Sequence, residues 1–240
     1  TVDFGTDPAT NVVVVSSTEI TCDTPAGTGT VDVTATQGSE SDTLVGAFEY
    51  TAAGSFAILD PARTGSNVTI KADDVSAVNN STNDALEEHS ASDALNATGK
   101  QYAEIEIVDR GPNNNEFGVG VSNESALPGS DWAGKTANSV GYWANGFWTG
   151  GSRFDTSPTY NNGDIVGVAV DTSTGQVWFS RNGAFFGDPS AGTGEATTLT
   201  ATDWHMIINP WGQTTEGKII TDPANMTHSA PTGFTAGWPK

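Results

Sequence analysis

The sequence predicts an all-β protein organised in two parts. Short β-branched or aromatic runs recur along the 240 residues, separated by Gly, Asn and Asp. Many short strands joined by tight turns read as sandwich or barrel. Turn-forming Asn-Gly and Gly-containing segments stand between the runs, and helical periodicity is almost absent.

Taken in order, the first runs are residues 12–15 and 31–36. An aromatic strand end, Phe48-Glu49-Tyr50, leads into Thr51-Ala52-Ala53-Gly54-Ser55. Small residues of this kind suit a linker, so the first part is placed at 1–52 and the second at 53–240. Further strands follow at 68–71, 102–108 and 117–121. The polar stretch 83–95 between them reads as a loop with one turn of helix. Asn145-Gly146 is the central pair of a two-residue hairpin turn, because both residue types tolerate positive φ. The strand 165–170 turns through Asp171-Thr172-Ser173-Thr174-Gly175 into 176–180, and Arg181-Asn182-Gly183 supplies another turn. Residues 205–209 form the last predicted strand. Trp178 is expected in the core with Trp204 beside it.

Composition narrows the function. Nine Lys and Arg against 29 Asp and Glu give a net charge of −20. So few positive charges make no phosphate-neutralising stripe, which excludes nucleic-acid binding through a basic face. They also speak against docking on anionic lipid. No apolar run reaches the ~18 residues of a spanning helix, so membrane insertion is not expected. The chain shows no signal peptide and starts at Thr1, which reads as a processed product or a fragment. The single Cys22 allows no internal disulfide and no Cys-based zinc site, and it is expected as a small buried apolar residue. The three His lie far apart. Asp73, Asp74, Asp171 and Asp188 read as turn carboxylates and no calcium loop motif occurs. No metal or cofactor is expected, and neither a nucleophile elbow nor a Gly-rich phosphate loop is present.

Two resemblances sharpen the fold. The segment VDFGTDPATNVVVVSSTEITCDTPAGTGTVDVTATQ, with TLVGAFEY after it, resembles the C-terminal part of an IPT/TIG immunoglobulin-like domain whose opening strands are missing. A sandwich without those strands leaves an edge exposed near residues 2–4 or 12–15, which is expected to pair with upstream residues or a neighbouring copy. The second part carries LDPARTGSNVTIKADDVSAVNN, GKQYAEIEI, FGVGVSN, SVGYWANG, YNNGDIVGVAVDTSTGQVWFSRNGAFFGDP and PTGFTAGWP. In that order they resemble the SPRY domain, in the form found in bacteriophage and bacterial proteins. The resemblance implies a concanavalin-like two-sheet sandwich whose end loops engage ligands.

The run Glu104-Ile105-Glu106-Ile107-Val108-Asp109 is similar to the catalytic motif of laminarinase-type glycosidases, with the Glu and Asp identities exchanged. Strand alternation puts Glu104 and Glu106 on one face, ~6.6–6.8 Å apart, and a bulge would bring Asp109 to it. Retaining glycosidases need carboxyls ~5–5.5 Å apart. The same residues fit the SPRY-like strand, and they are read as a solvated face carrying two carboxylates. All seven Trp lie in the second part. Trp132, Trp148, Arg153, Tyr160 and Trp211 stand in or beside turn-rich segments and are the candidate binding surface, because loop aromatics give large contact area at low entropy cost.

The expected function is therefore non-enzymatic: a structural or recognition protein, first of all a bacteriophage virion component. Capsid decoration, head fibre and tail-associated protein are the forms considered. Its partners would be other virion proteins or neighbouring copies through the Ig-like edge, and a host-surface glycan or protein through the SPRY-like loops. Its place would be the virion surface. The alternatives are a secreted or cell-surface bacterial adhesin and, third, a polysaccharide-cleaving enzyme.

Overall fold

The fold is that of a computed structural model. It describes residues 1–240 apart from 26, 28, 51–55, 80–87, 114–115, 123–130, 156–158 and 201–202, with backbone alone at 49 and 50. The small-residue linker expected at 51–55 lies outside the described residues. The chain forms two compact units, Thr1–Gly54 and Ser55–Lys240.

In the first unit, Val2–Phe4 lies between Asp7–Pro8 and Gly29–Gln37, and Glu40–Tyr50 completes a four-stranded sheet. Thr10–Ser16 and Glu19–Asp23 form a separate two-stranded sheet. Val2 and Phe4 are buried, and the Phe4 ring meets Phe48 edge-on at 4.9 Å. The segment Val2–Phe4 is thus an inner strand, which corrects its expected place at an edge. The Thr10–Ser16 strand does have an open side among the described residues. Its Val14 is 70% exposed. An open groove of about 560 Å³ runs past Val12, Val14 and Ile20 on the hairpin and Val2 and Ala35 on the larger sheet. This is a partial sandwich whose apolar faces do not close. Cys22 is half-buried on the hairpin rather than enclosed in a core.

The second unit is a two-sheet sandwich. One sheet runs in the order Ser152–Asp155, Gly146–Thr149, Ser139–Trp143, Phe117–Ser122, His205–Pro210, Ser90–Ser92, Leu59–Thr64. Pro61 cannot donate to a ladder and sits in the terminal strand, where no neighbour asks it to. The other sheet runs Ala184–Phe185, Gln176–Arg181, Ile165–Asp171, Lys100–Asp109, Glu216–Ile220, Ser76–Asn79, Val68–Ile70. Alternation supplies the core between them: Val119, Val121 and Tyr142 from the first sheet meet Ile105, Val168 and Phe179 from the second.

Of the stretch 83–95, residues 88–95 are described; Ser90–Ser92 is a fully buried strand rather than part of a loop with a helical turn. Among the described residues the one helix is a 3-10 turn at Pro223–Asn225. The expected Asn145-Gly146 turn sits one residue earlier. Trp143 pairs with Gly146, so Ala144 and Asn145 make the turn. Gly146 is required for another reason, since a Cβ there would lie 1.9 Å from the Asp155 carbonyl oxygen. Asn182 and Gly183 (φ 50° and 79°) do form a two-residue turn between Arg181 and Ala184.

The outer face of the second sheet is covered by the chain's own C-terminal segment. After Ile220 the chain crosses that face, and Thr235–Ala236 returns to pair in parallel with Gln101 and Tyr102. Trp178 is buried here with Tyr102, Ala169 and Phe234, whereas Trp204 belongs to the main core. The two Trp are therefore in separate clusters, which corrects their expected adjacency.

His205 is buried, with Nδ1 2.8 Å from the Ser92 carbonyl oxygen. Burial, acting first, holds its pKa below the ordinary 6.5. Below pH 6.5 the unfolded chain therefore binds a proton that the folded chain resists, and stability falls as pH drops toward the folded pKa. In urea unfolding at about pH 5 and about pH 7, His205→Gln is expected to lose less stability on acidification than the parent chain; an equal loss in both would remove His205 as the cause.

Candidate functional site

Four of the five candidate binding residues converge on the outer face of the seven-stranded sheet. The face is built from Gly118, Gly120 and Gly141, whose missing side chains leave a shelf. Trp143 lies on it: a Cβ at Gly118 would fall 2.4 Å from its ring. Residues 131–135 cross the same shelf as a strap. A Cβ at Gly141 would fall 2.0 Å from the Ala133 carbonyl oxygen, and one at Gly120 2.1 Å from that of Val140. The strap is tied down at both ends of Ala133. Its N–H donates to Asn209 Oδ1 at 2.9 Å, and its carbonyl accepts from Trp143 Nε1 at 2.9 Å.

On this base the indoles form an edge-to-face series. Trp132 meets Trp143 at 5.9 Å and Trp148 at 5.5 Å, and Trp143 meets Trp211 at 6.0 Å. Trp143 is buried, while Trp132, Trp148 and Trp211 are half-buried. Trp148 Nε1 donates to Asn145 Oδ1 at 3.0 Å. The exposed Arg153 guanidinium stands 6.0 Å from the Trp148 ring and donates to the Asn145 carbonyl oxygen. That distance lies at the reach of a cation–π contact. The patch thus offers apolar ring edges, one fixed cation and neighbouring amide groups, a combination that suits recognition of a ligand's apolar and hydrogen-bonding groups. Trp143, the centre of the series, was missed in the sequence because its strand alternation alone says nothing of which face stays near solvent. The glycines opposite it were the available signal.

Tyr160 is not part of this surface. It is fully buried, its hydroxyl donates to the Phe117 carbonyl at 2.6 Å, and its ring packs edge-on against Tyr142. Burial holds its phenol well above the ordinary pKa. Its neighbouring Asn and Gly residues suggested a loop tip, but the aromatic ring fills the space between the sheets.

Of the carboxylates in the 104–109 run, Glu106 is half-buried and partly open to solvent, whereas Glu104 is placed differently from expectation. Glu104 has no exposed surface. Its oxygens accept from Thr227 N–H at 2.7 Å, His228 N–H at 2.8 Å, Tyr102 hydroxyl at 2.9 Å and His228 Nδ1 at 3.1 Å. Burial and then the Glu104 charge hold the Tyr102 phenol above its ordinary pKa. Glu104 is neither a solvated carboxylate nor one within reach of a substrate. It anchors the C-terminal segment. A register shift does occur between Ile107 and Asp109, and Asp109 Oδ1 accepts from Gly111 N–H and Asn162.

The turn carboxylates are similarly occupied. Burial raises the Asp73 and Asp171 pKa values, but hydrogen bonds from Ser76 and Ser173 outweigh it and leave both below the usual range. Among the described residues no group of three His, Cys, Asp or Glu could hold a metal ion.

Comparison with known proteins agrees with this architecture. The SPRY domain family model matches residues 100–198, and the IPT/TIG domain model matches 1–52. The crystal structure of the SPRY domain of human HERC1 is similar, at 16% identity and TM-score 0.53, over 70% of this chain and 99% of that one. The TRIM65 PSpry domain is similar at 14% identity and TM-score 0.52, over 68% and 91%. No curated protein matches the chain. The likenesses establish a SPRY-type β-sandwich preceded by a partial Ig-like one. SPRY and IPT/TIG domains generally mediate protein–protein interactions.

Gly141→Ala is expected to displace the strap and cost about 1–3 kcal/mol. Urea denaturation and a red shift of tryptophan emission would report it; an unchanged midpoint would show that the strap does not depend on the shelf.

Proposed function

We propose that this two-sandwich chain is a non-enzymatic recognition protein carried on a bacteriophage particle, as a capsid decoration, head fibre or tail-associated protein at the virion surface. The half-buried series Trp132, Trp148 and Trp211 with Arg153 is the observation that supports recognition most directly. Aromatic side chains that are half-desolvated before binding lose little entropy when a partner covers them, and the exposed Arg153 adds a charge beside them. The indoles stand edge-to-face rather than side by side, so the patch has no broad coplanar platform for a sugar ring. This geometry favours a protein ligand on the host surface over a glycan. The resemblance of the SPRY motifs to the form found in bacteriophage and bacterial proteins, together with the acidic composition, supports the particle setting.

The Ig-like unit supplies the docking surface in this reading. Its Val12–Val15 run and Ile20 are exposed, and residues 1–54 contain no Lys or Arg. A second copy presenting the same acidic surface is disfavoured by like-charge repulsion. A different structural protein that lends an extended segment to the open strand is the fitting partner.

Cryo-EM of the source particles and native mass of the purified chain test the setting. A repeated protrusion on the particle that fits the second unit is expected; a free monomer with no particle association would overturn it and favour a secreted adhesin, to be followed on a glycan array. Within either setting, Trp148→Ala with Arg153→Ala is expected to weaken ligand binding about tenfold or more while the unfolding midpoint moves little. Unchanged binding would move the recognition surface elsewhere.

A further inference from the structure

A second, smaller pocket lies apart from the indole series. It has a volume of about 230 Å³ and is lined by Phe147, Phe154, Phe179, Phe186, Asp155 and Glu195, with glycine backbone and Ala196 completing it. Phe147 stacks on Phe179 at 5.5 Å and on Phe154 at 6.0 Å, and Phe186 meets Phe147 edge-on at 5.6 Å. Phe147 and Phe179 are buried, whereas Phe154 is 45% exposed. Among the described residues neither the Asp155 nor the Glu195 carboxylate has a side-chain hydrogen bond or an ion pair. Phe154 and Asp155 are exposed at this pocket and Glu195 is half-buried, so an apolar ring and two carboxylates without a cation partner among the described residues share one solvent-facing site.

The two chemistries of this pocket agree on one ligand. Ring faces carry negative potential and attract a cation, while the ring carbons favour methylenes over water. Free carboxylates repel an anion, and a neutral apolar group covering them would leave them desolvated and unpaired. The pocket is smaller than the ~300 Å³ lower limit of sites for drug-sized ligands, so it suits a single side chain. We infer that the pocket takes a lysine or arginine side chain of a partner polypeptide. The alkyl stem lies along Phe154 and Phe186, and the charged head meets Asp155 and Glu195. The net charge of −20 draws such a segment in from a distance. The inference stands whether or not the indole series binds a host protein.

The test uses the full chain, observed by amide NMR with the Gly187 and Gly194 signals as reporters. The probes are Nα-acetyl-lysine methylamide, Nα-acetyl-arginine methylamide and Nα-acetyl-norleucine methylamide, which keeps the four-carbon stem of lysine and lacks its ammonium group. A basic probe is expected to shift the two glycine signals saturably in the millimolar range. The norleucine compound is expected to bind about tenfold more weakly. Asp155→Asn with Glu195→Gln should remove the difference between lysine and norleucine, and Phe154→Ala should weaken the basic probes without changing the rest of the spectrum. Equal binding of lysine and norleucine to the parent chain would overturn the inference and leave an apolar pocket. Shifts spread over the acidic surface without saturation, or no shift at Gly187 and Gly194, would overturn it as well.

Discussion

The second unit depends on a buried negative charge. Removing a carboxylate from water costs several kcal/mol even after the protein relaxes, and Glu104 is removed completely. What offsets the cost is a ring of donors: two backbone N–H groups at Thr227 and His228, the His228 ring and the Tyr102 hydroxyl. Those backbone groups belong to a segment more than a hundred residues downstream, so satisfying Glu104 and covering the sheet are one event. The segment brings Phe234 against Trp178 edge-on at 5.9 Å, closing a small apolar cluster on the side of the sheet away from the main core. Without that crossing, Tyr102 and Trp178 would face water. The central strand Lys100–Asp109 is thereby packed on both faces, and its edge is shared between Glu216–Ile220 and Thr235–Ala236.

The opposite sheet solves the same problem by subtraction. Gly118, Gly120 and Gly141 withdraw side chains from the outer face so that Trp143 and the 131–135 strap can lie against backbone. The covering is incomplete, and its margin is where Trp132, Trp148 and Trp211 remain half-buried. One sheet therefore closes its outer face around an acid and becomes scaffold, while the other leaves indoles at the boundary with water, the surface proposed for recognition. The hairpin Gly146–Thr149 to Ser152–Asp155 serves both of that sheet's aromatic regions, since Trp148 and Arg153 belong to the indole series and Phe147 and Phe154 to the phenylalanine pocket.

Much of this was legible in the sequence, and the limits have a common cause. Strand runs such as 117–121, 165–170 and 205–209 stand out because alternation and turn residues are local properties. The Asn182-Gly183 turn is legible for the same reason. Alternation places Glu104 on the face away from Ile105, but it is silent on what covers that face, so a buried anchor and a solvated acid look alike. Tyr160 and Trp148 both border turn-rich sequence, yet one fills the core and the other meets Arg153. The difference is tertiary: Phe117 and Tyr142 surround one ring, and no sequence spacing encodes that. The displaced turn at Ala144-Asn145 has the same origin, because the close approach of Asp155 to Gly146, not turn chemistry, decides where glycine is needed.

Among the described residues the valine strand of the first unit pairs on one side alone, and carboxylates lie near its open groove. Its exposed edge has none of the lysines, prolines or bulky caps that usually discourage strand pairing; the neighbouring Glu19, Asp23, Glu40 and Asp42 stand guard instead. Such a guard acts through space and weakens with ionic strength. At about 0.1 M salt it reaches about 10 Å, but near 1 M it reaches about 3 Å, less than the ~4.8 Å between paired strands. The colloidal behaviour expected of this chain follows its medium: dispersed in dilute buffer, and progressively adhesive to itself as salt or acid silences the carboxylates.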